Sequence, residues 1–447
     1  MLAAISIELV HQVTSRLLFP ALQYFTFAPT SPTQLQDLNT TQHNMAPIDD
    51  YAIHMKAIAA LEDVDRLLAH KDAVQLGEDQ VYTMDQVTPH WLTTVLGNKV
   101  PGAVVVSTKI AGGHEGMTSR HKWDLEWNKE GKDAGLPTRV FFKSTPTNSH
   151  LLEMLSLLHM DEREVNVFNV LGDELSDLIP KCYYAKSYPG GRHIIILEDL
   201  EERGITPHWM ADTLTIPFAR AVAVAFAKLH SRYWNSERFG TDMIFLRPKS
   251  RRFGERWQTE FFEDNRRKFL ELDIGKNVSP YMKELIQLWN KSYNTVNEYF
   301  DRKAPTIIHG DSHLGNVLEF PDGSAGMYDW QCCFRGYGPR DLAYFLMSSM
   351  TQEDAEAHER EIFDLYADTL QKHGVKVDRE ELWQDYCLLA LDRLDSAMTS
   401  LTNGGYGHGI SAFVRQVRTI SWCAKEHDVL NILKRVVGEK PTTNGHA

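Results

Sequence analysis

Between residues 307 and 331 the chain spaces three polar side chains as a reaction would need them. The loop His309-Gly310-Asp311-Ser312-His313-Leu314-Gly315-Asn316 carries a carboxylate and, five residues later, a carboxamide. A second carboxylate, Asp329, follows Asp311 by 18 positions. Phosphoryl transfer needs such parts: a base for a hydroxyl proton, and oxygen ligands for the magnesium on a nucleotide triphosphate. Asp311 is the candidate base, and Asn316 and Asp329 are the candidate metal ligands. Magnesium fills most of its positions with phosphate oxygens and water, so one Asn and one Asp suffice.

For these residues to meet, the chain between them must double back. Residues 305–308 form a short apolar run that reads as a buried strand entering the loop. Residues 317–320 and 325–328 flank Pro321-Asp322-Gly323-Ser324, whose Asp-Gly pair signals a hairpin. That hairpin returns Asp329 beside Asn316.

The segment resembles the catalytic loop of aminoglycoside phosphotransferases, choline and ethanolamine kinases and the ecdysteroid kinase-like group. Their pattern is H-G-D-x-H-x-x-N followed by D-W, and His309, Gly310, Asp311, His313, Asn316, Asp329 and Trp330 match it residue for residue. The stretch Gly336-Tyr337-Gly338-Pro339-Arg340-Asp341-Leu342-Ala343-Tyr344-Phe345 also looks like that superfamily, where an Asp at the Asp341 position fixes the catalytic loop. Trp330-Gln331 replaces the Phe-Gly of protein kinases, which points to a small-molecule acceptor. The resemblance implies an α+β, two-lobed, protein-kinase-like fold, with a small N-terminal β-rich lobe and a larger helical C-terminal lobe. It also implies ATP and Mg2+ in the cleft, and transfer of the γ-phosphoryl group to a small-molecule hydroxyl.

Such an enzyme needs parts upstream. Residues 104–110 and 122–127 read as strands around a glycine-rich turn in which Gly112, Gly113, Gly116 and Ser119 could bring amides to phosphate. A third strand, residues 138–143, ends in Lys143, a lysine costly to bury unless paired. Residues 151–171 show helical spacing, and Glu164 on that helix could pair with Lys143. Glu153 and Glu162 compete, and the superfamily's Glu-x-x-x-aromatic pattern, here Glu164 with Phe168, favours Glu164. By the same resemblance the apolar run 193–197 leads into an interlobe hinge whose backbone around Glu198 and Leu200 would meet the adenine. No G-x-x-x-x-G-K-[ST] string is present, which disfavours a P-loop enzyme.

Two other classes stay open. A catalytically silent kinase-fold binding protein would have lost Lys143, Asp311, Asn316 or Asp329, and all four are present. A metal-dependent hydrolase would use the His-x-Asp-x-His string of His309 and His313, but no further His-x-His or Glu-x-x-His group lies nearby.

A chain of 447 residues with 43% hydrophobic and 24% charged residues can bury the cores of two lobes. Its net charge of −13 argues against nucleic acid as a partner. The one basic cluster, residues 247–252, reads as a solvated loop. No stretch is apolar enough to span a bilayer, and five unevenly spaced cysteines suggest free thiols and a cytoplasmic setting. The expected divisions are a flexible extension 1–44, an N-lobe 45–197, a C-lobe 198–437 and a flexible tail 438–447. Helices are expected over 218–233, 281–300, 352–373, 379–401 and 410–437. Asp392 and Asp395, with Tyr386 and Tyr406, would suit a cationic amine such as choline or an aminoglycoside, while a sterol or other secondary-metabolite alcohol fits at least as well.

Overall fold

The structure, a computed structural model, describes residues 80–440 apart from 206, 250–254 and 405–409. The N-terminal extension 1–44, the first part of the expected N-lobe, Tyr406 and residues 441–447 of the tail lie outside the described residues.

Helix α1 (Pro89–Leu96) precedes an antiparallel sheet of five strands in the order β1-β2-β3-β5-β4. The strands are β1 (Val105–Glu115), β2 (Ser119–Trp127), β3 (Arg139–Ser144), β4 (Cys182–Tyr188) and β5 (Arg192–Glu198). Side chains alternate between faces along a strand. Phe142 and Ile196, register partners, therefore join Trp123, Trp127 and Leu92 in a small core beneath α1. Lys143 and its partner Ile195 point the other way, toward the helices that follow β3. β5 is buried on both faces, which is why its sequence is a continuous apolar run.

The expected single helix over 151–171 is two helices, α2 (Ser149–Leu157) and α3 (Met160–Asn166), followed by a wide π-helical turn at Val167–Leu171. The break falls at His159, which has left-handed backbone (φ 53°). The offset redirects α3 so that Arg163 donates to the carbonyls of Leu158 and, at 3.3 Å, Gln331. This ties α3 to the segment just beyond Asp329.

The larger lobe is helical: α4 (Ile216–Arg232), α5 (Glu255–Glu271), α6 (Pro280–Asp301), α7 (Pro339–Ser349), α8 (Gln352–Lys372), α9 (Arg379–Thr402), α10 (Ile410–Glu426) and α11 (Val429–Val437). The expected helix over 410–437 is also two, because Asp428 takes left-handed backbone (φ 51°) between α10 and α11. α9 is buried nearly all round and packs on α5, α7, α10 and α11. Between α6 and α7 lie four short strands, β6 (Thr306–Ile308), β7 (Val317–Glu319), β8 (Ala325–Met327) and β9 (Phe334–Gly336). β6 pairs with β9 and β7 with β8, and these two ribbons carry the polar loop. No helix among the described residues is long and apolar enough to cross a membrane.

Candidate active site

The loop after β6 is held from below by one carboxylate. Asp341, fully buried in the first turn of α7, accepts from the backbone N–H of His309 (2.6 Å) and Gly310 (3.2 Å) and from the Ser312 hydroxyl (3.1 Å). Arg340 Nη1 lies 3.2 Å from it and His230 Nε2 3.5 Å. Burial pushes the Asp341 carboxyl up, but His230 and Arg340 outweigh it and hold the group far below the usual carboxylate range. Gly310 has φ +90°, and a Cβ there would stand 2.1 Å from the Cys332 carbonyl oxygen, so only glycine fits.

His309 braces the same loop. Its Nε2 donates to the Tyr328 carbonyl at 2.8 Å and its Nδ1 accepts from the Asp311 N–H at 3.4 Å. Burial lowers its pKa, which suits a neutral ring in that tautomer. Both ring nitrogens are thus committed to backbone, an arrangement that favours bracing over zinc ligation.

Asp311 sits at the mouth of the loop with a third of its side chain exposed. One carboxylate oxygen accepts from the Tyr344 hydroxyl (3.1 Å); the other accepts from Asn316 Nδ2 (3.3 Å) and faces His313 Nε2 at 3.6 Å. Tyr344 in turn accepts from Arg393 at 2.7 Å. Burial pushes the Asp311 carboxyl up, but His313 and Arg393 hold it below the usual range, so it is ionised. Asn316 Nδ2 also donates to the Asp311 carbonyl at 2.9 Å, which leaves the carboxamide oxygen as the atom for a ligand.

The β7–β8 hairpin brings Asp329 to this loop. Val317 pairs with Met327, and the Tyr328 N–H donates to the Asn316 carbonyl at 3.2 Å, so the ribbon's open end sets residues 316 and 329 close together. Asp329 has left-handed backbone (φ 65°), which turns its carboxylate toward the small lobe. There Lys143 Nζ lies 3.0 Å from one oxygen and Arg120 Nη2 3.2 Å from the other. Lys143 simultaneously meets Glu164 at 2.5 Å, with both side chains almost wholly buried. Burial raises the Asp329 pKa, but Lys143 and Arg120 prevail and keep it below the ordinary value. Of Glu164's competitors, Glu162 turns to His159 at 3.3 Å, and the side chain of Glu153 lies outside the described residues.

Thus Lys143, Glu164, Asp311, Asn316 and Asp329, drawn from both lobes, gather in one cluster. The remaining sequence candidates lie on the β1–β2 ribbon and at the exit of β5. The glycine-rich turn is displaced: Gly112 and Gly113 lie within β1, and the chain reverses over residues 116–118, with Gly116 donating to the Thr118 carbonyl at 3.1 Å. At Gly113 a Cβ would meet the Arg120 carbonyl at 2.6 Å, so strand pairing itself explains that glycine. The Ser119 hydroxyl donates to Glu115 at 2.6 Å. The Glu198 side chain accepts from the Lys181 N–H (2.8 Å) and Arg203 (2.7 Å), and Leu200 opens a short helical turn at the exit of β5. Any nucleotide contact at Glu198 would therefore be made by main chain.

The acidic pocket expected for a cationic amine is corrected. Asp392 is buried against Lys249 and, at 3.2 Å, Arg340; Asp395 is buried against Arg266 at 2.6 and 2.7 Å. Tyr386 is buried and donates to Glu359. These carboxylates are already neutralised inside the lobe. Lys249, expected in a solvated basic loop, is likewise buried.

Sequence reasoning missed Arg120, Tyr344 and Arg393. Arg120 was accessible in principle: it is the register partner of Lys143, and directly opposed residues share a face. Tyr344 lies one helical turn beyond Asp341, on the face that meets the loop. Arg393 had no signal beyond being a charge on a helix that proves to be buried.

Residues 117–378, more than half of the chain, match the profile of the ecdysteroid kinase-like family. The chain belongs to that family. With its five-stranded sheet and helical lobe it has the two-lobed, protein-kinase-like α+β fold. Similar solved structures include a Plasmodium vivax ethanolamine kinase (TM-score 0.47, 10% identity, 82% of this chain and 96% of that one). Others are choline kinases from Cryptosporidium parvum (0.46, 13%, 76% and 97%) and Streptococcus pneumoniae (0.41, 14%, 75% and 98%). No curated protein matches the sequence.

Proposed function

We propose that this ecdysteroid kinase-like protein transfers the γ-phosphoryl group of Mg-ATP to a hydroxyl of a small molecule, in the cytoplasm. The observation that carries the proposal is Lys143, which bridges the helix α3 carboxylate and the hairpin carboxylate at 2.5 and 3.0 Å. A buried lysine between two acids from different lobes is what a kinase uses to fix nucleotide phosphates against its metal ligand.

Asp311 is ionised and partly exposed, so it can orient an acceptor hydroxyl and take its proton as the new bond forms. The transition state is loose, so orientation matters more than base strength, and a low pKa is no handicap. Asn316 and Asp329 offer a hard, all-oxygen donor set that fits Mg2+; when bound, that ion would neutralise charge on the phosphates. Lys143 and Arg120, which now neutralise Asp329, are the cations that incoming phosphates would engage. Glu164 would hold Lys143 in place during that exchange. Gly112, Gly113, Gly116 and Ser119 would border the phosphates on the β1–β2 ribbon, and the backbone at Glu198 and Leu200 would border the base. With Asp392 and Asp395 paired internally, an uncharged alcohol of sterol or other secondary-metabolite type suits the acceptor side better than a cationic amine.

A thermal-shift measurement tests the nucleotide half of this reading. Mg-ATP should raise the melting temperature of the wild-type protein, and Asp329→Ala should abolish the rise. Stabilisation by zinc that His309→Ala abolishes, with none from Mg-ATP, would instead support the hydrolase alternative.

A further inference from the structure

Outside the cleft, two helices bring three chemically distinct ligand atoms to one point. Glu359 of α8, Cys423 of α10 and His427, just past the end of α10, each present a ligand atom, and these lie within 4.8 Å of one another. Cys423 and His427 are four residues apart, and the His427 N–H donates to the Cys423 carbonyl at 3.0 Å, so both side chains share one helical face. Glu359, only 2% exposed, comes from the facing helix. One of its oxygens accepts from the Tyr386 hydroxyl of α9 (2.9 Å) and the Cys423 thiol (3.6 Å); the other lies 2.8 Å from His427 Nε2.

We propose that Glu359, Cys423 and His427 form a site for a zinc-type dication that ties α10 to α8. The donor set of one carboxylate, one thiol and one imidazole selects Zn2+ or Co2+ over the hard cations Mg2+ and Ca2+. Zinc bonds of about 2.0–2.3 Å put tetrahedral ligand atoms roughly 3.3–3.8 Å apart. The carboxylate–sulfur separation of 3.6 Å already has that value, and the 2.8 Å carboxylate–imidazole contact would have to open by about half an ångström. Aromatic packing fixes the plane of the imidazole, because Trp383 and Trp422 stand edge-on to it at ring-centre distances of 4.9 and 5.7 Å. On the imidazole side a surface cavity of about 160 Å3 is lined by Trp383, Gln384, His427 and Asp428. It would admit the ion and supply water to a fourth position.

A buried Glu–His pair is the simpler account of two of these groups. It does not explain a soft donor against the same carboxylate, one helical turn from the imidazole. Burial, then Glu359, pushes the Cys423 thiol well above its usual pKa, so the thiol is protonated and metal binding would release that proton.

The test uses the full-length protein after chelator treatment and dialysis, with Co2+ as the coloured probe. One equivalent should produce visible d–d bands and a near-ultraviolet thiolate-to-cobalt band, both erased by added Zn2+, and Zn2+ should raise the melting temperature by several degrees. Cys423→Ser should lose the near-ultraviolet band, and His427→Ala should weaken cobalt binding at least tenfold. Asp329→Ala should leave the cobalt spectrum unchanged, which separates this site from the magnesium ligands of the cleft. An absence of cobalt absorbance in the wild-type protein, or a near-ultraviolet band that survives Cys423→Ser, would overturn the proposal. So would loss of the spectrum in Asp329→Ala.

Discussion

Two pairs of aspartates in this protein are alike in chemistry and opposite in situation. Asp392 and Asp395 lie on α9, fully enclosed, each against an ammonium or guanidinium group. Asp311 is touched by a tyrosine hydroxyl, a carboxamide and a nearby imidazole, with the Arg393 guanidinium behind the tyrosine, and a third of it is exposed. Asp329 stands between these extremes, neutralised by two cations that phosphates could claim. A carboxylate saturated by buried cations is structural, because removing either partner strands a charge. One with no buried cation in direct contact, and partly exposed, keeps its charge for a substrate.

The contrast can be broken by substitution. Asp311→Asn should lower kcat by about a thousandfold, within the range of general-base contributions, while Mg-ATP affinity measured by calorimetry stays near that of the wild type. Arg266→Ala should instead destabilise the fold by about 3–5 kcal/mol in urea unfolding, because it leaves Asp395 buried and unpaired. Should Arg266→Ala unfold at the wild-type urea midpoint, the structural assignment of the α9 pair fails. Tyr344→Phe removes one donor from Asp311 and should cost about 1–1.5 kcal/mol of transition-state stabilisation, roughly tenfold in kcat, with unchanged nucleotide affinity. A fall in nucleotide affinity rather than kcat would place Tyr344 outside the acceptor side.

The pH dependence sharpens the same comparison. Asp341 has a depressed folded-state pKa, so its contribution to stability is present above the unfolded value of about 4 and is lost as pH falls below it. Urea midpoints measured from pH 7 to pH 3 should decline at the acid end, and Asp341→Asn, destabilised at pH 7, should show less of that decline. Asp311 is depressed too, so between pH 5 and pH 8 it should impose no acid limb on kcat.

How much of this was legible in the sequence follows from distance along the chain. The polar loop, hairpin and second carboxylate are local, and their turn chemistry encodes their proximity: Gly323 takes the positive φ that the Asp-Gly pair implied. The strands around Lys143 and most large-lobe helices carried clear periodicity. Helix ends were harder, because His159 and Asp428 interrupt two apolar patterns with left-handed backbone that no glycine announces. Helix α5 escaped notice since its apolar residues sit among many charges, one of which, Arg266, is a buried partner of α9. The cationic-amine reading of Asp392 and Asp395 failed for the same reason: an aspartate on a helix gives no sign of being paired until the arginine that meets it, 129 residues away, is located in space.

The proposed role of Asp311 is to present an acceptor hydroxyl to the γ-phosphoryl group of Mg-ATP. Its most direct test is a panel of hydroxyl compounds, spanning amino alcohols, aminoglycosides and sterol or other secondary-metabolite alcohols, incubated with γ-labelled ATP and either wild-type or Asp311→Asn protein. The label should pass to one class of alcohol with the wild-type protein and to none with the variant. Equal labelling by both proteins would contradict the assignment.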